Sequence, residues 1–467
     1  MLFHRLKKSL TRYLITMPIR RYSFRNVGKI AILMFLLINF IHIYKLLLLE
    51  SKNVSLYNIS FDLKLNSTHS TVSQYWRFKE VCHTVKEYNS PKILETISKI
   101  NKEEKIKNQD KFDSMRKKEN TTTIIVIQVH NRINHLKHLI SSLGGARGIN
   151  QTLLIFSHDF WDEEINLLVD SIRFANVLQI FYPFSIQTHQ NVFPGDSPND
   201  CSSKVATKEA KKRKCINAEW PDLYEHYRQA EVTQIKHHWW WKANHVFDHL
   251  EITTSFQGLV LFLEEDHYLA DDFLHVLSLM QNQRDLNYSN CDILCLGTHQ
   301  QYQTLLPSVA KLKSIYQSVG IAPWHNAKHN MGMAFDRRTW NKIQSCATSF
   351  CQFDDYNWDW SLLHTSLKCT NNTLNVMYMK APRVFHIGEC GFHKKNYFCN
   401  PDEKVIEVSK TIEKAGPYLF PKSIIVKNVS NKTIKLPKGN GGWGDRRDHQ
   451  LCLNMSTSKL PLDKNTS

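Results

Sequence analysis

The feature that most constrains the fold is a run of five apolar residues that ends in three consecutive acids. The run covers residues 259–263, and Glu264, Glu265 and Asp266 follow it directly. It is too short to cross a membrane and too uniform for a half-exposed strand, so it predicts a central strand buried on both faces. Ligands of open α/β sheets bind at the carboxyl ends of such strands, where carboxylates can hold a divalent cation on a phosphate-bearing substrate.

An acidic strand end that only caps a helix is the alternative interpretation. Three adjacent acids beside an apolar strand repel one another unless a cation is bound or a proton is retained. The pattern therefore favours a metal site that includes Asp266. A later strand that ends at His386 can bring a second ligand to the same edge, although a lone histidine is more often structural.

Strands and helices alternate in the first part of the folded body. A strand begins near residue 121, a helical pattern continues to residue 143, and the unit repeats with a strand at 152–156 that ends in Ser157, His158 and Asp159. This alternation predicts a Rossmann-like, doubly wound, mainly parallel α/β sheet. No glycine-rich loop follows the first strand, which argues against a dinucleotide fingerprint or a P-loop.

Most of the excess positive charge lies at the N-terminus. The net charge is +17, and residues 1–29 carry +8 of it without a single acid. The basic composition is thus largely a property of this tail, and we expect no nucleic-acid partner. Residues 30–49 match the roughly 20 apolar residues of a transmembrane helix, and the basic flank places the tail in the cytosol and the remainder in a lumen. A cleaved signal peptide is the alternative, but no small-residue cleavage site follows.

These features predict a tail (1–29), a transmembrane signal-anchor (30–49), a lumenal stem (50–120) and a catalytic domain (121–467). All 11 cysteines lie after the predicted span, without the spacing of a zinc site, so disulfides in an oxidising lumen are their expected use. The odd number leaves at least one thiol unpaired within the chain. Residues 298–329 lack a clear pattern and predict a long loop, and the glycine-rich segment 440–449 predicts a fixed loop that closes the fold.

Two aromatic segments have more than one interpretation. Three consecutive tryptophans, 239–241, cannot share one helical face, so at least one contacts a second layer or a ligand. In segment 350–360, acids alternate with aromatic residues. Such a segment suits a sugar, whose C–H faces stack on rings while carboxylates bind its hydroxyls, but an acidic turn with packed aromatics explains it equally well.

Seven motifs, taken in order, resemble the N-acetylglucosaminyltransferase II family of the Golgi, and the resemblance extends from about Thr122 to Cys452. The motifs are QVHNR at 128–132, FSHDFW at 156–161, KHHWWW at 236–241, FLEEDHYL at 262–269, HNMG at 329–332, YNWDW at 356–360 and NGGWGD at 440–445. The resemblance implies a GT-A glycosyltransferase fold, UDP-N-acetylglucosamine as donor and Mn²⁺ as cofactor.

The family also implies roles for individual residues. It places Mn²⁺ on Asp266 and His386, which agrees with the site inferred from the strand ends. The implied donor-binding residues are Gln128, Val129, His130, Asn131, Arg132, Asp159, Lys236, His237, His238, Trp239 and Trp240. The implied disulfides are Cys201–Cys215, Cys346–Cys369, Cys351–Cys452 and Cys390–Cys399. Tyr288 stands where the family has a partner for Cys291, and Cys82 and Cys295 have no counterpart.

Transfer from an α-linked donor to a β-linked product inverts the sugar, so one carboxylate must take the proton of the acceptor hydroxyl. Asp354, Asp355 and Asp359 are candidates, and the resemblance selects Asp359; a helix cap is its alternative role. The expected function is β1,2 transfer of N-acetylglucosamine to the α1,6-arm mannose of an N-glycan on a glycoprotein, by a single-pass type II protein of the Golgi membrane. A sister enzyme for the α1,3 arm and a non-catalytic lumenal lectin are the alternatives, and the oligomeric state, a homodimer included, stays open.

Overall fold

The computed structural model describes residues 89–110, 123–298, 309–388, 400–430, 432–436 and 438–457, all within one compact unit, Lys86–Ser467. The predicted tail (1–29), the predicted transmembrane segment (30–49) and the predicted stem up to residue 88 lie outside these residues. In the part of the chain that the structure describes, no helix is both long enough and apolar enough to span a bilayer.

The described residues form eleven strands and thirteen α-helices. The strands are β1 (Ile124–Val129), β2 (Leu153–His158), β3 (Asn176–Phe181), β4 (Val260–Glu264), β5 (His267–Leu269), β6 (Ile293–Cys295), β7 (Ser318–Pro323), β8 (Met333–Phe335), β9 (Asn375–Met379), β10 (Val384–His386) and β11 (Ile425–Val429). The helices are α1 (Ser90–Glu103), α2 (Ile133–Gly145), α3 (Glu163–Asp170), α4 (Thr207–Arg213), α5 (Ala230–Asn244), α6 (Phe273–Asn287), α7 (Val309–Tyr316), α8 (Asn326–His329), α9 (Arg337–Gln344), α10 (Ala347–Gln352), α11 (Trp358–Lys368), α12 (Asp402–Ala415) and α13 (Arg446–Asn454).

Nine strands form one sheet in the order β11-β7-β9-β6-β8-β4-β1-β2-β3. The pairs that join β4, β1, β2 and β3 are all parallel, whereas β8 runs antiparallel to both β4 and β6, and β7 antiparallel to β9. The structure therefore confirms a mixed α/β fold with a large sheet in which parallel pairs dominate. β5 and β10 form a separate antiparallel pair.

Both faces of the sheet are buried, as the uniform apolar strands predict. Along β1, Ile125 and Ile127 pack into one core with residues of α2, α3 and α6, while Ile124 and Val126 pack into a second core with residues of α5 and α11. This alternation follows from the two-residue period of a strand. It also explains why β1 and β4 read as continuous apolar runs rather than as alternating ones.

The tryptophan run lies inside the protein. α5 is sandwiched between the sheet and a second layer that includes α10, α11 and α13. Trp239 stacks on Trp358 with ring centroids 4.6 Å apart, and Trp240 stacks on Phe350 with centroids 4.3 Å apart. Of the two explanations for a helix with tryptophan on several sides, the second layer is therefore the one seen.

The predicted boundary between stem and catalytic domain, at residue 120, is too late in the chain. The side chain of Asn101, on α1, donates to the carbonyl of Phe181 and accepts from its N–H. Lys107 exchanges two backbone hydrogen bonds with Val177 on the edge strand β3. The sequence of this region predicted a spacer because it is polar and has few apolar residues. Its contacts with β3 use main-chain groups and one side-chain amide, and such contacts leave no hydrophobic periodicity in the sequence.

Two other predictions meet different outcomes. The expected long loop at 298–329 is wrong in its second half, because β7 joins the sheet between β11 and β9. Three of the disulfides implied by the family are present, namely Cys201–Cys215, Cys346–Cys369 and Cys351–Cys452. Cys82 and the pair Cys390–Cys399 lie outside the described residues, and Cys291 and Cys295 are buried free thiols.

Candidate active site

The carboxyl ends of β1, β2 and β4 meet at one edge of the sheet. Gln128 on β1 lies in register with Glu264 on β4 and with Ser157 on β2. The residues that follow each strand, among them His130, Asp159 and Asp266, therefore emerge side by side. This edge is where α/β sheets bind ligands, and it brings together two segments more than 100 residues apart in sequence.

Glu265 fixes the segment that follows β1. One of its carboxylate oxygens accepts the backbone N–H of His130 at 2.7 Å, and the other accepts Nε of Arg132 at 2.6 Å. Because both oxygens are engaged and the side chain is buried, this carboxylate acts as a scaffold. The same guanidinium reaches Asp266, whose Oδ2 lies 2.8 Å from Nη1 of Arg132.

Asp266 is the acid best placed to bind a cation. Its Oδ2 also lies 3.2 Å from Nε2 of His386, and its Oδ1 is buried without a hydrogen-bond partner. Burial raises the pKa of Asp266, but the His386 contact and the charge of Arg132 outweigh burial and hold the pKa well below its usual range. A buried, ionised oxygen without a donor is costly, and a metal ion would satisfy it.

His386 arrives at Asp266 through the β5–β10 pair. The register of this pair sets His386 opposite His267, and the N–H of Ile387 donates to the carbonyl of Asp266. A Cβ on Gly388 would lie 2.4 Å from Oδ2 of Asp266, so only glycine fits beside this carboxylate. The two metal ligands expected from sequence therefore do meet.

Two further residues that sequence reasoning had not named as ligands belong to the same cluster. Ligand atoms of Glu264, Asp266 and His267 all lie within 4.8 Å of one another. Carboxylate and imidazole donors suit Mn²⁺ as well as other divalent metals. Together with the Asp266 oxygen that lacks a partner, this donor set fits a divalent cation. The sequence signal for Glu264 and His267 was that both lie within two residues of Asp266.

Asp159, at the end of β2, is held by three neighbours. Its Oδ1 lies 2.6 Å from Nδ1 of His130, and its Oδ2 accepts Nε2 of Gln234 at 3.0 Å and lies 3.4 Å from Nδ1 of His238. The Asp159 charge raises the pKa of His130 to about 9. His130 is thus a cation at neutral pH, and since about half of its side chain is exposed it can contact an anionic ligand.

A shallow surface hollow lies beside Asp159. Its walls include Ile93 and Ile97 of α1 together with Trp161 and Tyr182. The segment that was predicted to be stem thus lines the same region as a predicted donor-binding residue.

The other predicted donor residues, in the segment that ends β1, differ in how exposed their side chains are. His130 and Asn131 are exposed and Gln128 and Arg132 are half-buried, whereas Val129 lies in the core, so only its backbone is at the edge. The backbone carbonyl of Val129 accepts the N–H of Asp159. His130 and Asn131 are therefore the side chains of this segment that a ligand at the sheet edge can reach most directly.

The side chains of four predicted donor residues on α5 contact protein groups, and their contact with a donor stays a prediction. Nζ of Lys236 donates to the carbonyls of Phe353 and Asp355, at 3.0 and 3.1 Å, and His237 lies 2.9 Å from the buried Asp448. The other two are Trp239 and Trp240, which stack within the second layer. Only His238 of this motif reaches a site residue, Asp159, so α5 supports the site from beneath.

Asp359 lies in the first turn of α11, two residues after the N-cap Asn357. Its Oδ1 accepts the N–H of Trp360 at 2.9 Å, and its Oδ2 accepts Nδ2 of Asn330 at 3.1 Å. Burial of the carboxyl, helped by the charges of Asp355 and Glu264, raises the pKa of Asp359 to about 7. A carboxyl with this pKa exchanges its proton near neutral pH, which is the property of a general base.

The other two acids of this segment hold the chain together. Asp354 accepts the N–H groups of Leu223 and Trp443 at 2.6 and 2.9 Å. Asp355 accepts four hydrogen bonds, from the backbone and side-chain amides of Asn357 and Asn440. They anchor the glycine-rich segment near residue 440, so the structure favours Asp359 as the acid available for chemistry.

The fold and the site define a class of protein. It is a mixed α/β protein with an acidic cluster that can bind a metal at the carboxyl edge of its sheet, and with a carboxyl that can exchange its proton near neutral pH. The sequence matches the family model of N-acetylglucosaminyltransferase II (MGAT2) over residues 94–452, and the chain belongs to that family.

Curated relatives agree with this membership, and each of three is named alpha-1,6-mannosyl-glycoprotein 2-beta-N-acetylglucosaminyltransferase. The Mus musculus protein is 43% identical over 70% of this chain and 73% of its own length. The Homo sapiens protein is 40% identical over 76% and 77%, and the Arabidopsis thaliana protein is 33% identical over 75% and 78%.

Solved structures give only distant similarity. S. aureus TarS in complex with UDP-GlcNAc is 12% identical, with a TM-score of 0.30 over 62% of this chain and 65% of its own. The mannosyltransferase PcManGT from Pyrobaculum calidifontis, in complex with GDP-Man and Mn²⁺, is 7% identical, with a TM-score of 0.29 over 71% and 83%.

Proposed function

We propose that this protein is an inverting glycosyltransferase that moves N-acetylglucosamine from UDP-N-acetylglucosamine, in β1,2 linkage, to the α1,6-arm mannose of an N-glycan. The observation that carries the proposal is the pair of unlike carboxylates. Asp266 is held ionised and lacks a partner for one oxygen, while Asp359 has its pKa raised to about 7. A metal-binding acid and a separate base are the two acids that inversion of an α-linked nucleotide-sugar requires.

The donor would lie along the end of β1, against His130, Asn131 and Arg132, with Asp159 at the nucleotide end. His130 and Arg132 supply positive charge for the diphosphate. Asp266 and His386 would hold Mn²⁺, with Glu264 and His267 beside them, and the bound ion would neutralise charge that develops on the leaving UDP.

Asp359 would take the proton of the acceptor hydroxyl as that oxygen attacks the anomeric carbon from the face opposite UDP. Asn330 and the N–H of Trp360 fix the orientation of the carboxylate. The charge of Glu264 contributes to the raised pKa of Asp359, which couples the base to the acidic cluster at the end of β4.

The remaining parts of the proposal follow from sequence. The fold would be of the GT-A type, and residues 30–49 would anchor a single-pass type II protein in the Golgi membrane, with the folded unit in the lumen acting on glycoproteins. The stem would end near residue 85 rather than 120, because α1 packs on the sheet. A homodimer would be compatible with this arrangement.

An acceptor panel on the full-length protein, purified in detergent with Mn²⁺ and UDP-N-acetylglucosamine, tests the function. We expect UDP release and product with a defined glycan that offers a free α1,6-arm mannose. Product only with the α1,3-arm acceptor would replace the proposal by the sister activity. Absence of UDP release with any glycan acceptor, from protein that still binds glycan, would leave a lectin.

A further inference from the structure

A second buried lysine on α5, Lys242, has no role in the function proposed above. It lies in the last turn of the helix with only 1% of its surface exposed. Its Nζ donates a hydrogen bond to Oε1 of Gln128 on β1. Burying an ammonium group is unfavourable unless it is paired, and an apolar residue in the same place would carry no such penalty.

Acidic groups near Lys242 belong to the candidate site. The charges of Glu264, at the end of β4, and Asp159, at the end of β2, both act on its ammonium group. Lys242 therefore lies beneath three neighbouring strand ends, β2, β1 and β4. Packing of α5 on the sheet does not require Lys242, because Trp239 and Trp241 already pack in the same core as β1.

The contact also fixes which way the Gln128 amide points. A lysine ammonium only donates hydrogen bonds, whereas an amide has one accepting oxygen and one donating NH₂ group. Lys242 must therefore take the oxygen, and the NH₂ group of Gln128 is turned away from α5. Gln128 is half-buried and starts the segment that the proposed donor lies along.

We propose that Lys242 is a positioning residue for the donor: it holds the Gln128 amide so that its NH₂ group donates to an acceptor oxygen of the nucleotide-sugar. This inference rests on the proposed function. Lys242 touches no substrate itself, and its effect passes through Gln128.

Lys242→Met in the full-length protein tests the proposal. With the amide free to flip, the KM for UDP-N-acetylglucosamine should rise about tenfold or more, as loss of a charge-assisted positioning contact predicts, while kcat at saturating donor changes by less than about threefold. Calorimetry with UDP and Mn²⁺ should show the same loss of affinity. Lys242→Arg, which keeps a donor-only cation, should recover part of it.

Arg284→Met is the matched control, because it removes a buried cation on α6 that pairs with Asp336 and leaves the Lys242–Gln128 contact in place. Both variants should lower Tm, but the KM for donor should rise more in Lys242→Met. The proposal would be overturned if KM rose equally in both variants at an equal loss of Tm, or if Lys242→Met kept the wild-type KM.

Two further outcomes keep the test decisive. If Lys242→Met does not fold, Gln128→Glu decides, since it keeps an acceptor for Lys242 but loses the NH₂ group: an unchanged KM would overturn the proposal, and a raised KM supports it. Failure of the wild-type protein to bind UDP would instead refute the proposed function, so the two failures are distinguishable.

Discussion

Residues 264–266 at the end of β4 and residues 354–359 at the start of α11 each include three acids, yet one carboxylate of each segment differs from the other in protonation. At Glu264, Glu265 and Asp266 the neighbours are cations, and Arg132 and His386 keep Asp266 ionised despite its burial. At Asp359 the neighbours are an amide, one N–H group and other acids, so burial prevails and raises its pKa to about 7. The partners of an acid, rather than its sequence type, decide whether it binds metal or moves protons.

The two segments are alike in using neighbouring acids as scaffolds. Glu265 secures the segment after β1 through His130 and Arg132. Asp354 and Asp355 secure the glycine-rich segment near residue 440 in the same way, with backbone and side-chain N–H groups. In both segments, the acids beside the candidate carboxylate thus bind N–H groups of another part of the chain.

The largest effect is expected from Asp359→Asn. Asparagine keeps the size of the side chain and its acceptor for the N–H of Trp360, but it cannot take a proton. Turnover should fall on the order of a hundredfold or more, with UDP affinity and Tm close to wild type. Single-turnover assays with isothermal titration of UDP measure both. Near-normal turnover would leave Asp359 with a structural role at the start of α11. It would also contradict the contrast between a proton-exchanging Asp359 and an ionised Asp266.

Asp266→Asn should produce the next largest effect. The amide cannot supply the ionised oxygen that lacks a partner, so Mn²⁺ affinity should fall on the order of tenfold to a hundredfold, as read from the electron paramagnetic resonance of free Mn²⁺. Glu264→Gln refines the result. A comparable loss of Mn²⁺ affinity would make Glu264 a ligand, and a small loss of affinity would mean that Glu264 acts only as a neighbouring charge. Unchanged affinity in Asp266→Asn would contradict the assignment.

The pH dependence of kcat/KM should show the state of Asp359 directly. A general base works only when deprotonated, so the rate should rise with pH and level off above the pKa of about 7. At pH 6 it should be about a tenth of its value at pH 8. An acid limb centred near pH 4, the ordinary range of an aspartate, would mean that another group is the base.

Asp355→Ala should have the smallest effect on chemistry and a clear one on stability. It removes the acceptor of four N–H groups, and the loss should lower the free energy of unfolding by about 3 kcal/mol in urea titrations. Turnover of the folded fraction should stay within a few-fold of wild type. A hundredfold loss of turnover without destabilisation would move the role of base from Asp359 to Asp355.

The sequence by itself determined the parts of the fold that depend on local pattern. The uniform apolar residues of β1 and β4 predicted strands buried on both faces, and alternation with helices predicted a mainly parallel sheet, because strand period and topology follow from residues near in sequence. The acids that end β4 predicted the metal edge for the same reason. The strand ends left His386 open as a second ligand and the acids 354–359 open as the base, and the resemblance to the family selected His386 and Asp359.

Only the tertiary structure decided what each side chain faces. Lys236 and Trp239 carry the sequence signature of a ligand site, but a second layer covers them, and no local pattern records that layer. Asn101 and Lys107 look like spacer residues, yet they bond to β3, a strand about 70 to 80 residues away. The protonation of Asp266 and Asp359 depends on groups from distant segments such as Arg132 and Asn330, because charge and burial act through space rather than along the chain.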